Sequence, residues 1–287
     1  MKKWRVEDMK FSAVLVMITL VLLAASGAWA ADDAAWPLAC RTASYGKYDA
    51  GALDHMSAIG LNYVFIPVPA PDQVEATIQK LKDSKLTPLV IRGNTDLSKE
   101  TCVDELGAQA AICEKMGVKY MFLSAKCNGA EKSVVYDRLR RAGEAAKQHG
   151  VIISLETHPE LCTNGDVQLE TMKAINHPNV RINFDTANIT FYNKDTTAVA
   201  ELKKIIDYVA TLEIKDHNAE FESWNFPALG TGKVDFPAIF ALLKAHKYYG
   251  PVTIEFEGVK GVELTEEQTK KAIADSVAYV KSIAAFK

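Results

Sequence analysis

Four short segments in the second half of the chain end in an acid: Ser154-Leu155-Glu156, Asn183-Phe184-Asp185, Thr211-Leu212-Glu213 and Thr253-Ile254-Glu255. In each, a polar residue and an apolar one precede the carboxylate. Side chains alternate across an extended strand, so the apolar residue and the acid face opposite ways. Leu155, Phe184, Leu212 and Ile254 are expected to face surrounding helices, and Glu156, Asp185, Glu213 and Glu255 to face one interior. Carboxylates crowded away from bulk water repel one another, and either take up protons or are neutralised by a cation. A divalent ion is the simpler resolution. An all-oxygen donor set suits hard ions, Mn2+ or Mg2+, with Co2+ or Zn2+ as alternatives. A single strand-end acid reads equally well as a solvated rim residue; four in the same phase read as a ligand set.

Other polar side chains fall close to these acids. His158 shares parity with Glu156, Lys215 and His217 share parity with Glu213, and Asn188 follows Asp185 by three. Each is a candidate for holding substrate hydroxyls or moving protons. Trp224, in a long loop, is a candidate apolar wall for a sugar ring.

The elements that must position these groups recur regularly. Eight β-rich runs are predicted, at 38–42, 63–68, 88–91, 120–124, 151–156, 180–185, 210–215 and 252–256. Between them lie stretches of helical period, such as Val74, Ile78 and Leu81, or Val135, Leu139, Ala142 and Ala146. Thr265 and Gln268 stand at capping-box spacing before a last helix. Parallel strands need such crossover helices. Eight alternations over roughly 250 residues are the rhythm of an α/β fold of the (β/α)8 TIM-barrel kind, whose chemistry sits at the C-terminal mouth. A doubly wound open sheet is disfavoured because no glycine-rich strand-to-helix turn of the dinucleotide type is present.

Residues 1–30 stand apart from the domain predicted over 31–287. Lys2, Lys3 and Arg5 precede an apolar run from Phe11 to Ala25, and Ala28-Trp29-Ala30 supplies a small-x-small pattern. This is the pattern of a signal peptide, and it predicts an exported, periplasmic or secreted product with no membrane segment after cleavage. Cys40, Cys102, Cys113, Cys127 and Cys162 form an odd set without metal-type spacing and are expected as buried thiols. The 33 basic and 36 acidic residues nearly balance at a formal charge of -3. No Lys/Arg run follows the signal, so nucleic acid is an unexpected partner. The sequence leaves the oligomeric state open.

The most specific stretches are Leu155-Glu156-Thr157-His158, Asn183-Phe184-Asp185-Thr186-Ala187-Asn188 and Ile214-Lys215-Asp216, followed by Leu229-Gly230-Thr231-Gly232-Lys233-Val234-Asp235-Phe236 and Val252-Thr253-Ile254-Glu255. In order and spacing they resemble the xylose isomerase-like TIM barrel superfamily, specifically its sugar phosphate isomerase/epimerase group. The resemblance implies that Glu156, Asp185, Glu213 and Glu255 are metal positions and that Glu156 and Glu255 are also the acid/base pair. One departure stands out: where the family often carries histidine two residues before the Lys-Asp pair, this chain has Glu213. That position then either ligates through oxygen, gives way to His217, or marks a site without its metal.

The resemblance implies a metal-dependent sugar isomerase or epimerase acting by proton transfer next to a carbonyl. Four carboxylates around one dication leave the site negative, which favours a neutral sugar over a phosphorylated one. Two alternatives use the same barrel: a lyase eliminating from a keto-sugar or keto-glycoside, and a secreted sugar-binding protein without turnover. The superfamily's histidine-rich DNA-repair branch is not matched by six scattered histidines.

Overall fold

The strands form because their apolar residues are buried on both faces or at one end of a closed sheet. A computed structural model describes residues 35–287, so the segment read as a signal peptide lies outside the described residues. The strands are β1 (Leu38–Arg41), β2 (Tyr63–Pro67), β3 (Thr87–Arg92), β4 (Tyr120–Leu123), β5 (Ile152–Glu156), β6 (Val180–Asp185), β7 (Val209–Ile214), β8 (Asn225–Phe226), β9 (Val252–Ile254) and β10 (Gly258–Val259). Eight of them close a parallel barrel in the order β1-β2-β3-β4-β5-β6-β7-β9, with β9 pairing back onto β1. This is the expected TIM barrel. The remaining two, β8 and β10, make an antiparallel ribbon that the sequence reading did not anticipate.

Helices α1 (Ala52–Ala58), α2 (Val74–Asp83), α3 (Cys102–Lys115), α4 (Lys132–Gln148), α5 (Gly165–Ile175), α6 (Asn188–Tyr192), α7 (Ala198–Ile205) and α8 (Phe236–Ala245) lie between the strands in sequence, and α9 (Glu266–Ile283) follows the last of them. Their apolar stripes bury against the outer face of the sheet, where Leu155, Phe184, Leu212 and Ile254 are fully covered. Burying a side chain of that size stabilises by about 1.5–3 kcal/mol. Helix α9 starts with the expected capping box between Thr265 and Gln268, and Asn164, Thr197 and Asp235 cap α5, α7 and α8. Among the described residues, no helix is long and apolar enough to cross a membrane. All five cysteines are buried free thiols, and burial pushes Cys40 and Cys113 up to about 12.

The barrel interior divides into two kinds of lining. From β1 to β4 it is apolar, a small cluster of Ala39, Phe65, Val90 and Phe122. From β5 to β9 it is polar, with Ser154, Asn183, Thr211 and Thr253 below the acids, all buried. Thr211 donates to Asn183 Oδ1 at 2.7 Å, and the Asn183 amide donates to Glu213 Oε2 at 3.1 Å. The lower polar layer therefore orients at least one member of the acid layer above it.

Candidate active site and metal centre

Each acid reaches the mouth because its strand ends there. Glu156, Asp185, Glu213 and Glu255 are buried, and one oxygen from each lies within 4.8 Å of the others. The strand parity read from sequence brings these four together.

The motif residues between them stitch neighbouring strand ends. The Thr157 hydroxyl accepts from Asp185 N at 3.0 Å and from the Gln168 amide at 2.9 Å. Asp185 Oδ1 accepts from Ala187 N and Asn188 N at 2.8 and 2.9 Å, and the Asn188 amide donates to Thr157 O. Thr186 Oγ1 donates to Lys215 O at 2.8 Å and accepts from Lys215 N at 3.0 Å. Asp216 accepts from four backbone amides, those of His217, Gly230, Gly232 and Val234. That carboxylate folds the Gly-Thr-Gly loop around itself; Gly230 needs its positive φ of 84°, and at Gly232 a Cβ would collide with Asp216 Oδ1. The Lys-Asp pair thus divides its work, Asp216 fixing the loop and Lys215 serving the site.

Two cations sit among the acids. Lys215 Nζ contacts Glu255 Oε2 at 3.1 Å, Glu257 Oε2 at 2.5 Å and Asn188 Oδ1 at 3.2 Å. Arg41, at the end of β1, pairs with Glu213 Oε1 at 3.0 Å and with Glu255 Oε1. Its guanidinium carbon lies 5.0 and 5.2 Å from the ring centres of Phe65 and Phe122, so the apolar half of the barrel still accommodates the charge. Sequence reasoning missed Arg41, yet the parity rule contains it: Arg41 is two residues beyond inward-facing Ala39, as Arg92 is beyond Val90 and Ser124 beyond Phe122, and all three line the cavity. Tyr192 and Glu257 were also missed.

Burial pushes Asp185 up to about 7 and Glu213 well above the carboxylate range, and repulsion from Glu255 adds to both; Lys215 and Arg41 respectively oppose these rises. Burial acts on Glu255 too, but Lys215 and Arg41 outweigh it and hold that carboxyl below its ordinary value. For Lys215, desolvation is outweighed by Glu255, Asp185 and Glu257, and it stays charged. Asp185 Oδ2 is buried with no hydrogen-bond partner. An orphaned carboxylate oxygen facing three other acids is the donor set a hard dication takes, and the buried acidic cluster could bind one.

Above the acids lies a cavity of about 240 Å³. His158, Asn188, Lys215 and Trp224, all anticipated, line it together with Glu156 and Glu255. His158 stands edge-on to Tyr192 at 5.0 Å, and burial followed by the nearby Glu156 charge pushes the Tyr192 phenol up to about 12. His217 is the exception. It does not line this cavity: its Nε2 faces Ser223 O at 2.8 Å, its Nδ1 faces Thr190 Oγ1 at 2.7 Å, and its ring stacks on Phe226. The strand ends at Ile214, so alternation still places Lys215 immediately beyond it but no longer governs His217, three residues past the end. Both ring nitrogens are engaged, which removes His217 from the role of substitute ligand.

A closed parallel (β/α)8 barrel with a carboxylate ring at its mouth is the class of protein that the fold and site define. Residues 53–283 match the model of the xylose isomerase-like TIM barrel family, and the chain belongs to it. No curated protein matches the chain at the sequence level. Among solved structures it is similar to a xylose isomerase domain protein from Planctomyces limnophilus, at 24% identity and TM-score 0.69 over 87% of this chain and 97% of that one. It is similar to a D-allulose 3-epimerase from Methylomonas sp. bound to D-allulose, at 18% identity and TM-score 0.68 over 87% and 97%. A sugar phosphate isomerase/epimerase from Parabacteroides distasonis is similar at 17% identity and TM-score 0.68 over 90% and 98%. At these identities the likeness defines the fold.

Proposed function

We propose that the chain is a sugar isomerase or epimerase that transfers a proton next to a carbonyl on a neutral sugar and uses a divalent metal. The observation that carries this reading is the convergence of four buried carboxylates directly beneath a cavity of one-ring size. Epimerases among its structural neighbours support it. Glu156, Asp185, Glu213 and Glu255 would hold the ion, and their oxygens favour Mn2+ or Mg2+. When bound, such an ion supplies Lewis-acid polarisation of a carbonyl.

The chain's own residues do the rest. Glu156 on β5 and Glu255 beyond β9 stand on strands three places apart in the barrel order, so they approach a bound ring from different sides. One removes the proton beside the carbonyl and the other returns it. Lys215 and Arg41 place fixed positive charge where an enediolate oxygen gathers charge. Tyr192 stays a phenol and can donate to a substrate hydroxyl, with His158 and Asn188 beside it. Five carboxylates, counting Glu257, face Arg41, Arg92 and Lys215, so no cationic surplus awaits a phosphate. Export follows as part of the proposal from the basic, apolar and small-residue order of residues 1–30.

Metal analysis of the purified protein, followed by NMR detection of solvent deuterium entering neutral keto-sugars, tests the reading. Deuterium at the carbon beside the carbonyl supports it; a metal-loaded protein that exchanges none across ketohexoses, ketopentoses and keto-glycosides refutes it.

A further inference from the structure

A second cavity, of about 440 Å³, opens at the same mouth, between the loop that follows β1 and the loop that follows β9. Trp224 and Glu257 line both cavities. They are placed by the β8–β10 ribbon: Trp224 precedes β8, Glu257 precedes β10, and Lys260 N bonds Trp224 O at 2.9 Å. Phe191 and Phe226 meet the indole edge-on at 6.0 and 5.3 Å, and Trp224 keeps 44% of its surface exposed. A large aromatic face this open, standing between two cavities, is a stacking surface. The outer cavity is otherwise walled by Tyr45, Tyr48 and Phe256, with the Lys47–Glu263 pair as its charged side chains besides Glu257.

Ligand pockets usually span about 300–1,000 Å³. The inner cavity falls below that range and suits one sugar ring; the outer one falls within it. We infer that the outer cavity is a subsite for a second ring, so that the substrate is a glycoside whose keto-sugar ring sits over the carboxylates while its aglycone or second sugar packs beyond Trp224. This rests on the proton-transfer reading for its inner ring, and adds the substrate class.

The test uses a matched pair, the methyl and phenyl glycosides of one keto-glucopyranose, with the Mn2+-loaded protein. Calorimetry should find the phenyl glycoside at least about tenfold tighter, since burying one extra ring removes apolar area from water. Val262 lines only the outer cavity and is 57% exposed, so Val262→Trp fills the subsite without disturbing the core. It should erase the phenyl advantage and leave methyl glycoside binding within twofold. Trp224→Ala should lower the same ratio from the shared wall. A phenyl preference under about threefold in the parent, or equal weakening of both glycosides by Val262→Trp, overturns the subsite. Solvent deuterium entry into the methyl glycoside is read separately: exchange without phenyl preference sinks the subsite alone, and phenyl preference without exchange in either glycoside sinks proton transfer while keeping the subsite.

Discussion

Arg41 and Glu213 are 172 positions apart in the chain and 3.0 Å apart in the barrel, Nη1 against Oε1, both buried. The pair joins the end of β1 to the end of β7 across the mouth, and Arg41 also reaches Glu255. Where the family often has a neutral ring, this chain has a carboxylate, and it has an arginine positioned to meet it.

Removing Arg41 should therefore cost more than removing the pair. Arg41→Met leaves Glu213 and Glu255 short of a cation in a buried site, and breaking a buried pair costs about 3–5 kcal/mol. The double variant Arg41→Met/Glu213→Gln should recover at least half of that loss. Urea unfolding in the presence of a chelator measures both; an Arg41→Met protein as stable as the parent contradicts the assignment.

Asp185 should dominate metal affinity, because its Oδ2 accepts no hydrogen bond and meets Lys215 Nζ only at 3.8 Å, whereas Glu213 is already hydrogen-bonded to Arg41 and Asn183. Asp185→Asn should weaken Mn2+ binding by more than about 100-fold, beyond what outer residues of metal sites contribute. Glu213→His should shift preference toward zinc or cobalt, since it replaces oxygen by nitrogen. Calorimetry that finds Asp185→Asn binding as tightly as the parent refutes the site.

The same aspartate sets a pH dependence. Burial raises Asp185 to about 7 in the folded chain, above its unfolded value near about 4. Between those values the folded state binds more protons than the unfolded one, so this contribution is full below about 4 and is lost as pH rises through 7. In metal-free protein, the stability of the parent minus that of Asp185→Asn should fall across this window and level off above it. A difference that is flat or rises is the contrary result.

Much of this architecture is legible in the amino-acid sequence. The predicted strands fall on the observed barrel strands within a residue or two at each end, because β-branched and aromatic runs bounded by helical stripes leave few readings. The acids were legible through alternation. Lys215 was legible the same way, by its parity with Glu213, but Arg41 and Arg92 stand on early strands without an acid to draw attention to them; the same alternation on β1 and β3 places both at the mouth. Trp224 was a candidate wall from its residue type, but the β8–β10 ribbon that sets it beside Glu257 has two residues per strand, too short for any period, and had no sequence signature. His217 misled because alternation holds only while the chain remains extended.

Gly232 offers a check on the loop that Asp216 organises. A Cβ there would strike Asp216 Oδ1 and lie 2.8 Å from His217 O, neither of them the end of a long flexible side chain. Gly232→Ala should destabilise by roughly 2–4 kcal/mol, the range of substitutions that break a buried hydrogen-bond network. Thermal unfolding unchanged within a degree shows that Asp216 does not organise the loop.

The most direct measurement is the rate of solvent deuterium entry at the carbon beside the carbonyl, in the parent, Glu156→Gln and Glu255→Gln, each at saturating Mn2+. An amide keeps the shape of the side chain but accepts no proton at neutral pH, and saturating metal restores activity where a carboxylate served only as a ligand. General base catalysis contributes about 10²- to 10⁴-fold, so each variant should lose at least about 100-fold and stay there. Recovery of either variant to within about tenfold of the parent contradicts the two-glutamate mechanism.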